Sequence, residues 1–498
     1  MPRYSTHARW STCLALLLAS LHPAVQATDS VTSSLRFSPC RLEHSSRLVS
    51  IEARCATLRV PEDETRPGGR SLDLFVARVP AISGRKAPDP VLLIAGGPGM
   101  GTSEMYPGVA QAFARLRRDR DIIIVDQRGT GRSHALRCGD DRDRDLGADT
   151  AAFLAETRRC LDALSKAHDL RQFTTSVAVR DLERVRVALG VAQWNIYGVS
   201  YGSRVAQHYL RRHPARTRSV ILDGVVPPGV ALGPDIALDA QAAFDRILAR
   251  CSRDATCANR YGDSRADFEQ VQARLRRAAV SVALPDPTSG EPVRFDFGPA
   301  HLGAVLRLQS YAASTASLLP LALHEAAERD NFTVLAGFYL MSANSLADSM
   351  AAGMHNSVVC TEDLPFVDAA RIDRGKLAGT YIGAEQLDAL QEICSYWPRG
   401  PLDADFRKPL RSDVPVLLLS GGDDPVTPPA NAERAMQGFT RARHLVLPGQ
   451  GHGQIGATCM DRVITRFVRD LAPAQLDARC LDSVKPAPFF TSPSGSAP

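Results

Sequence analysis

The sequence predicts an α/β protein: a mostly parallel, doubly wound sheet with a mainly helical cap inserted late in the chain. Three observations predict it. Short, nearly all-apolar runs recur at 91–94, 121–126, 195–198, 220–224, 414–419 and 444–447; helix-like stretches separate most of them; and the alternation stops between about residues 230 and 410. Strands apolar on both faces are what a parallel sheet buried between helices requires. Regular alternation of strand and helix implies crossover connections.

The elements follow in chain order. Cys13 to Leu21 is an apolar stretch behind Arg3, His7 and Arg9, and Val25-Gln26-Ala27 offers small residues for cleavage. Residues 1–27 therefore read as a signal peptide, with Thr28 as the mature start. No lipid-attachment cysteine ends the apolar run, so the expectation is an exported protein with no membrane attachment after signal cleavage. Residues 57–80 look like strands broken by a Pro61–Gly69 turn, and Val177 to Gly190 has the pattern of a helix with a glycine stop. Residues 28–229 are expected to form the first part of the core and 411–485 its C-terminal part. Residues 230–410 are Ala-, Leu- and Arg-rich and too long for a structureless connection, so they read as the cap. The Pro-, Ser- and Gly-containing stretch 486–498 reads as a disordered tail.

Composition narrows the function. The 498 residues are 44% hydrophobic and 23% charged, which describes a globular protein with a sizeable core. Removing residues 1–27 takes away two arginines and no acid, so the formal charge falls from +5 to +3. That is too weak to argue for nucleic acid or an anionic membrane. Eleven cysteines less Cys13 leave ten, falling into close pairs: Cys40/Cys55, Cys138/Cys160, Cys251/Cys257, Cys360/Cys394 and Cys459/Cys480. An even number in an exported chain points to disulfides between neighbours. No C-x-x-C or H-E-x-x-H pattern occurs, so neither a metal nor another cofactor is expected.

Gly198-Val199-Ser200-Tyr201-Gly202 fits the G-x-S-x-G elbow, a strand-to-helix turn so tight that the flanking positions have no room for side chains. Trp194–Tyr197 precedes it as a strand and Ser203–Leu210 follows as a helix, the setting the motif demands. Ser200 is the expected nucleophile, and it needs a base with a group to orient that base. Ser420-Gly421-Gly422-Asp423-Asp424-Pro425-Val426-Thr427-Pro428 follows one late strand and Gly449-Gln450-Gly451-His452-Gly453 follows the next. His452 is the expected base; His208 and His213 fall on or just after the helix behind the elbow. Asp423 and Asp424 compete for the acid by spacing alone, since either could merely cap the turn. An oxyanion hole needs two backbone N–H groups. One is expected from Tyr201, the other from the Gly96-Gly97-Pro98-Gly99 loop.

With these motifs placed, the sequence resembles the α/β-hydrolase peptidases of the prolyl aminopeptidase family, in particular their secreted, tripeptidyl-aminopeptidase-like (TAP-like) branch. The resemblance rests on Gly96–Gly99, Asp126-Gln127-Arg128-Gly129-Thr130-Gly131-Arg132-Ser133, Gly198–Ser203, Asp424–Pro428 and Gly451-His452-Gly453. It implies the α/β-hydrolase fold and a serine aminopeptidase acting on small peptides. It also implies that the aspartate before Pro-Val-Thr-Pro, Asp424, is the triad acid. Ala95 and Tyr201 stand where cytoplasmic prolyl aminopeptidases usually have His and Trp, which favours short-peptide or broader substrates over release of single prolines. Such exopeptidases must also hold a free α-ammonium group. Glu362 and Asp363, beside Cys360 and its expected bridge to Cys394, are the candidate anchors; the alternative is two solvated acids at a helix start.

The expectation is thus an exported serine aminopeptidase with Ser200, Asp424 and His452 as triad and the Gly97 and Tyr201 amides as oxyanion donors. An esterase or lipase-like hydrolase would use the same triad. An idle hydrolase fold serving as a binding protein is the remaining alternative. Oligomeric state is left open, with a monomer favoured.

Overall fold

A computed structural model of the protein describes residues 35–139, 150–492 and 494–496. The expected signal peptide lies outside the described residues.

Nine strands form the main sheet: β1 (Ser38–Glu43), β2 (Ser50–Pro61), β3 (Ser71–Val79), β4 (Val91–Ile94), β5 (Ile122–Val125), β6 (Trp194–Val199), β7 (Thr217–Asp223) and, after the cap, β10 (Val416–Gly421) and β11 (Ala442–Leu447). Their order is β1-β2-β3-β5-β4-β6-β7-β10-β11. From β5 to β11 every neighbouring pair is parallel, while β1, β2 and β3 join antiparallel at one edge. The sheet is therefore the mostly parallel one that the apolar runs predict. Side chains alternate across a strand, and each run supplies both faces. Leu92 and Ile94 of β4, Ile196 of β6 and Leu418 of β10 enter one core. Val91, Leu93, Tyr197, Leu417 and Leu419 enter the other.

Between β7 and β10 lies the helical region, with its own core around Phe244, Phe268, Leu302, Leu306, Leu323 and Leu335. It also contains a hairpin, β8 (Val280–Pro285) and β9 (Pro292–Phe297), where helix was expected. Buried Val282 and Leu284 alternate with exposed Ser281 and Ala283, a period of two that favours a strand over the region's helical composition.

The tail corrects a second expectation. Phe489 is 3% exposed and lies under the Arg250 guanidinium, 4.2 Å from the ring centroid. The Phe490 amide donates to the Ser317 carbonyl at 3.2 Å, and the Tyr261 hydroxyl donates to the Phe490 carbonyl at 2.7 Å. Two adjacent aromatic rings bring enough apolar area to dock a segment whose Pro and Ser content suggests disorder.

Five disulfides join Cys40–Cys55, Cys138–Cys160, Cys251–Cys257, Cys360–Cys394 and Cys459–Cys480. Bridges in this number persist in an oxidising or extracellular environment. Among the described residues, no helix is long and apolar enough to cross a membrane.

Candidate active site

Ser200 sits between β6 and the helix Tyr201–Arg212 at φ 56°, ψ −127°, a backbone conformation that a non-glycine residue holds only when its surroundings over-determine it. The surroundings do so. A Cβ on Gly202 would overlap the Ile94 carbonyl oxygen and come within 2.5 Å of that of Ala95, and one on Gly198 would overlap the Gly202 carbonyl oxygen. Both glycines of the motif are thus required by close backbone approach. The Ser200 amide donates to the Asp223 carbonyl at the end of β7 at 2.8 Å, which fixes the elbow to the neighbouring strand.

His452 and Asp424 come together as the resemblance implies. Imidazole Nδ1 and Asp424 Oδ2 are 2.8 Å apart. Asp424 is fully buried and also accepts from the Val426 amide at 2.8 Å, the Thr427 amide at 2.9 Å and the Thr427 hydroxyl at 2.8 Å. Asp423 turns away: its carboxylate accepts from Arg246 Nε at 3.2 Å and its amide donates to the Gln450 carbonyl. Burial opposes ionisation of Asp424, but the charge and hydrogen bond of His452 and the bonds from Thr427 and Val426 outweigh it and hold the carboxyl below its ordinary value. Burial would lower His452 in turn; the Asp424 carboxylate, and then Asp223, more than offset it and raise the imidazole above its ordinary value.

The ring lies over Gly224, where a Cβ would come 2.8 Å from His452 Cε1, and Gly224 directly follows the residue that binds the Ser200 amide. Histidine and serine therefore meet at the end of β7. No hydrogen bond joins the Ser200 hydroxyl to His452 in this geometry; such bonds are often long in the absence of substrate.

Two residues of the site were not singled out from sequence. Asp223 is fully buried, and its carboxylate accepts from the Gln454 and Ile455 amides and the Tyr197 hydroxyl at 2.8–3.0 Å, which anchors the loop that carries His452. Burial pushes its carboxyl up to about 6 against the pull of those amides. Thr427 bridges the acid and the base, its hydroxyl 3.1 Å from His452 Nδ1. A charged residue closing an otherwise apolar run was the available signal for Asp223; for Thr427 it was the Asp-x-x-Thr spacing.

The Gly96–Gly99 loop stands against the elbow: a Cβ on Gly96 would lie 2.9 Å from Ser200 Cβ. Neither the Gly97 nor the Tyr201 amide has a backbone acceptor among the described residues. Cap residues close over this loop, the Ala351 amide donating to the Gly99 carbonyl at 3.0 Å. The Asp126–Ser133 motif is structural: Asp126 accepts from the Ser103 and Arg132 amides at 2.8 Å, and Arg128 is buried in an ion pair with Asp181 at 2.6 Å.

Glu362 and Asp363 are neither exposed anchors nor solvated acids. Both are fully buried at the end of the helix Ala352–Glu362. Glu362 accepts from the Thr175 amide at 2.6 Å and hydroxyl at 2.8 Å; Asp363 pairs with Arg204 at 2.9 Å and accepts from the Leu232 amide at 3.0 Å. Their oxygens are turned inward because a buried carboxylate must find internal partners. The alternative of two solvated acids at a helix start is thereby corrected; Asp363 Oδ2 is enclosed without a hydrogen-bond partner. Burial pushes Glu362 up to about 7 against the pull of Arg204. Among the described residues, no group of three or more His, Cys, Asp or Glu is arranged to hold a metal ion.

A nucleophile elbow, a buried carboxylate–imidazole pair and a mostly parallel sheet define an α/β hydrolase, and the chain is one. Residues 89–280 match the α/β hydrolase fold family and residues 379–480 match the TAP-like protein family. It is a serine hydrolase of the TAP-like group, distantly homologous to named relatives. It is 27% identical to the serine protease Hip1 of Mycobacterium tuberculosis, over 92% of this chain and 93% of that one. It is 28% identical to carboxylesterase B of the same organism, over 86% of each. It is 26% identical to the tripeptidyl aminopeptidase of Streptomyces lividans, over 87% of this chain and 85% of that one.

Proposed function

We propose that the protein is an exported serine aminopeptidase that cuts peptide bonds near the free N-terminus of short peptides. The observation that carries the reading is the Asp424–His452 pair at 2.8 Å, set over the β7 end that also binds the Ser200 amide. Ser200 Oγ attacks the substrate carbonyl while His452 takes its proton, and the resulting oxyanion is held by the Gly97 and Tyr201 amides. His452 then gives the proton to the leaving amine, and water repeats the sequence on the acyl-enzyme. Asp424 keeps the imidazole oriented and stabilises its cation. The cap closing over the Gly96–Gly99 loop supports a preference for short substrates, and the five disulfides support export.

An esterase is the second reading. It is favoured by the burial of Glu362 and Asp363 against Thr175 and Arg204, and by the carboxylesterase among the relatives. Matched chromogenic amides with free and acetylated N-termini, an ester, and Ser200→Ala as control separate the two. Turnover of free but not acetylated amides, lost in Ser200→Ala, supports the aminopeptidase. Ester turnover alone, indifferent to acetylation, rejects it.

A further inference from the structure

Three polar atoms above the catalytic groups are enclosed without a hydrogen-bond partner: Arg307 Nε, the Tyr381 hydroxyl and His355 Nδ1. They belong to one neighbourhood. Arg307 lies in the last turn of the helix Pro299–Gln309. Just beyond that helix, the Tyr311 carbonyl accepts the His452 amide at 2.7 Å and the Tyr311 ring stands edge-on to the imidazole, 5.2 Å between centroids. The charge of Arg307 acts on His452, His355 and Tyr381 alike. The His355 amide is bonded to the Ala351 carbonyl, and the Ala351 amide to Gly99, so His355 stands over the Gly96–Gly99 loop. The group thus spans the cleft roof from the catalytic histidine to the oxyanion loop.

Its partners are missing where physical chemistry requires them. Arg307 makes one side-chain hydrogen bond, Nη1 to Gln386 Oε1 at 2.9 Å, and has no carboxylate partner among the described residues. A part-buried guanidinium without a counter-charge is costly, and a helix C-terminus offsets only part of that. Tyr381 is 7% exposed, and a tyrosine so enclosed ordinarily finds a partner for its hydroxyl. Burial, and then the charge of Arg307, push His355 down to about 4, so it is neutral. Its one N–H is committed to the Pro98 carbonyl, which leaves Nδ1 as an acceptor and makes His355 a wall of the site and not a donor to it. Arg307 and Tyr381 together offer a planar cation and a neutral hydroxyl donor to an anion.

We propose that Arg307, with Tyr381, forms a subsite that takes a substrate carboxylate on the leaving-group side of the scissile bond. The side follows from His452: the imidazole hands its proton to the leaving amine, so groups standing over it face the part of the substrate that departs. This assignment rests on the proposed role of His452. The carboxylate is the free C-terminus of a short peptide or an acidic side chain next to the cut. A C-terminal carboxylate held here would set the length of the substrate from its far end.

The test compares short peptides as free acids and as C-terminal amides, each with Glu or Gln at the first leaving position, on the full-length mature protein. The wild type is expected to favour a carboxylate by about ten-fold in kcat/KM, mostly through KM, as loss of a charge-assisted contact implies. The amide arm and the Gln arm identify which carboxylate is read. In Arg307→Met the preference falls to about one, with partial recovery in Arg307→Lys. Tyr381→Phe keeps the ring's packing and lowers the preference several-fold. Equal use of acid and amide together with equal use of Glu and Gln by the wild type, or a ratio unchanged in both Arg307→Met and Tyr381→Phe, overturns the proposal. If esters turn over and no peptide is cut, the peptidase reading falls separately. The subsite is then read from inhibition of ester turnover by the same peptides: a free acid about ten-fold more potent than its amide supports it, and equal potency overturns it.

Discussion

Asp223 binds the Ser200 amide on its backbone carbonyl at 2.8 Å, and its carboxylate takes the Gln454 amide, two residues beyond His452, at the same distance. One residue at the end of β7 therefore sets the nucleophile and the histidine loop relative to each other. Asp223→Asn keeps the carbonyl contact and weakens the side-chain ones, where the amide nitrogen would face backbone donors. A loss of about 2 kcal/mol in stability is expected, as for a buried acceptor replaced by a donor. kcat should fall about ten-fold or more with KM little changed, because a small displacement of a catalytic group is costly. Thermal unfolding and steady-state kinetics check both.

Thr427 donates to Asp424 and lies 3.1 Å from the imidazole nitrogen. Thr427→Val preserves shape and removes the hydroxyl, and about 1 kcal/mol of stabilisation of the acid–base pair should go with it. Thr427→Ser restores the hydroxyl and should restore most of kcat. A Val variant with wild-type kcat and pH profile would reject this role.

The pH profile follows from His452. The imidazole must be neutral to accept the serine proton, and Asp424 raises it above its ordinary value. The acid limb of kcat/KM should therefore lie above pH of about 6.5, with activity lost as pH falls through it. Asp424→Asn removes that support; the limb moves down and the rate falls by orders of magnitude, on the order of 10⁴-fold in the best-studied triad. A pH–rate series on both proteins tests the sign.

Glu362 gives a stability prediction of the opposite kind. Burial lifts its folded-state value to about 7 from an ordinary 4.5. The folded protein thus holds the proton more tightly than the unfolded chain. That contribution is fully present below pH of about 4.5 and is lost as pH rises through about 7. Glu362→Gln carries no such titration, so its melting temperature relative to the wild type should rise between pH 5 and 8. A difference that stays constant over that range would reject the assignment.

Much of this site was legible in the order of residues. Apolar runs such as Val91–Ile94 and Val416–Leu419 are β-strands because only a sheet covered on both faces buries them. The elbow around Ser200 could be read because two glycines at fixed spacing are demanded by backbone contacts that no side chain survives. His452 and the Asp423-Asp424 pair were legible as loops after late strands. Neighbour pairing of the cysteines was readable for a related reason: short spacing makes the nearest partner the easiest to reach.

What the chain alone determines here is therefore local: strand or helix from period, tight turns from glycine, and an oxidising setting from its paired cysteines. Tertiary structure decided everything that depends on direction in space. It alone turned Asp424 to the imidazole and Asp423 to Arg246, and it alone made Asp223 and Thr427 parts of the site. It buried Glu362 and Asp363 against Thr175 and Arg204, and it left Arg307 near His452 with no carboxylate partner among the described residues. The physical reason is that a side chain's partners come from strands and helices hundreds of residues apart, so charge, burial and hydrogen bonding at a site are properties of packing. Residue order sets which groups are available and leaves their meeting to the fold.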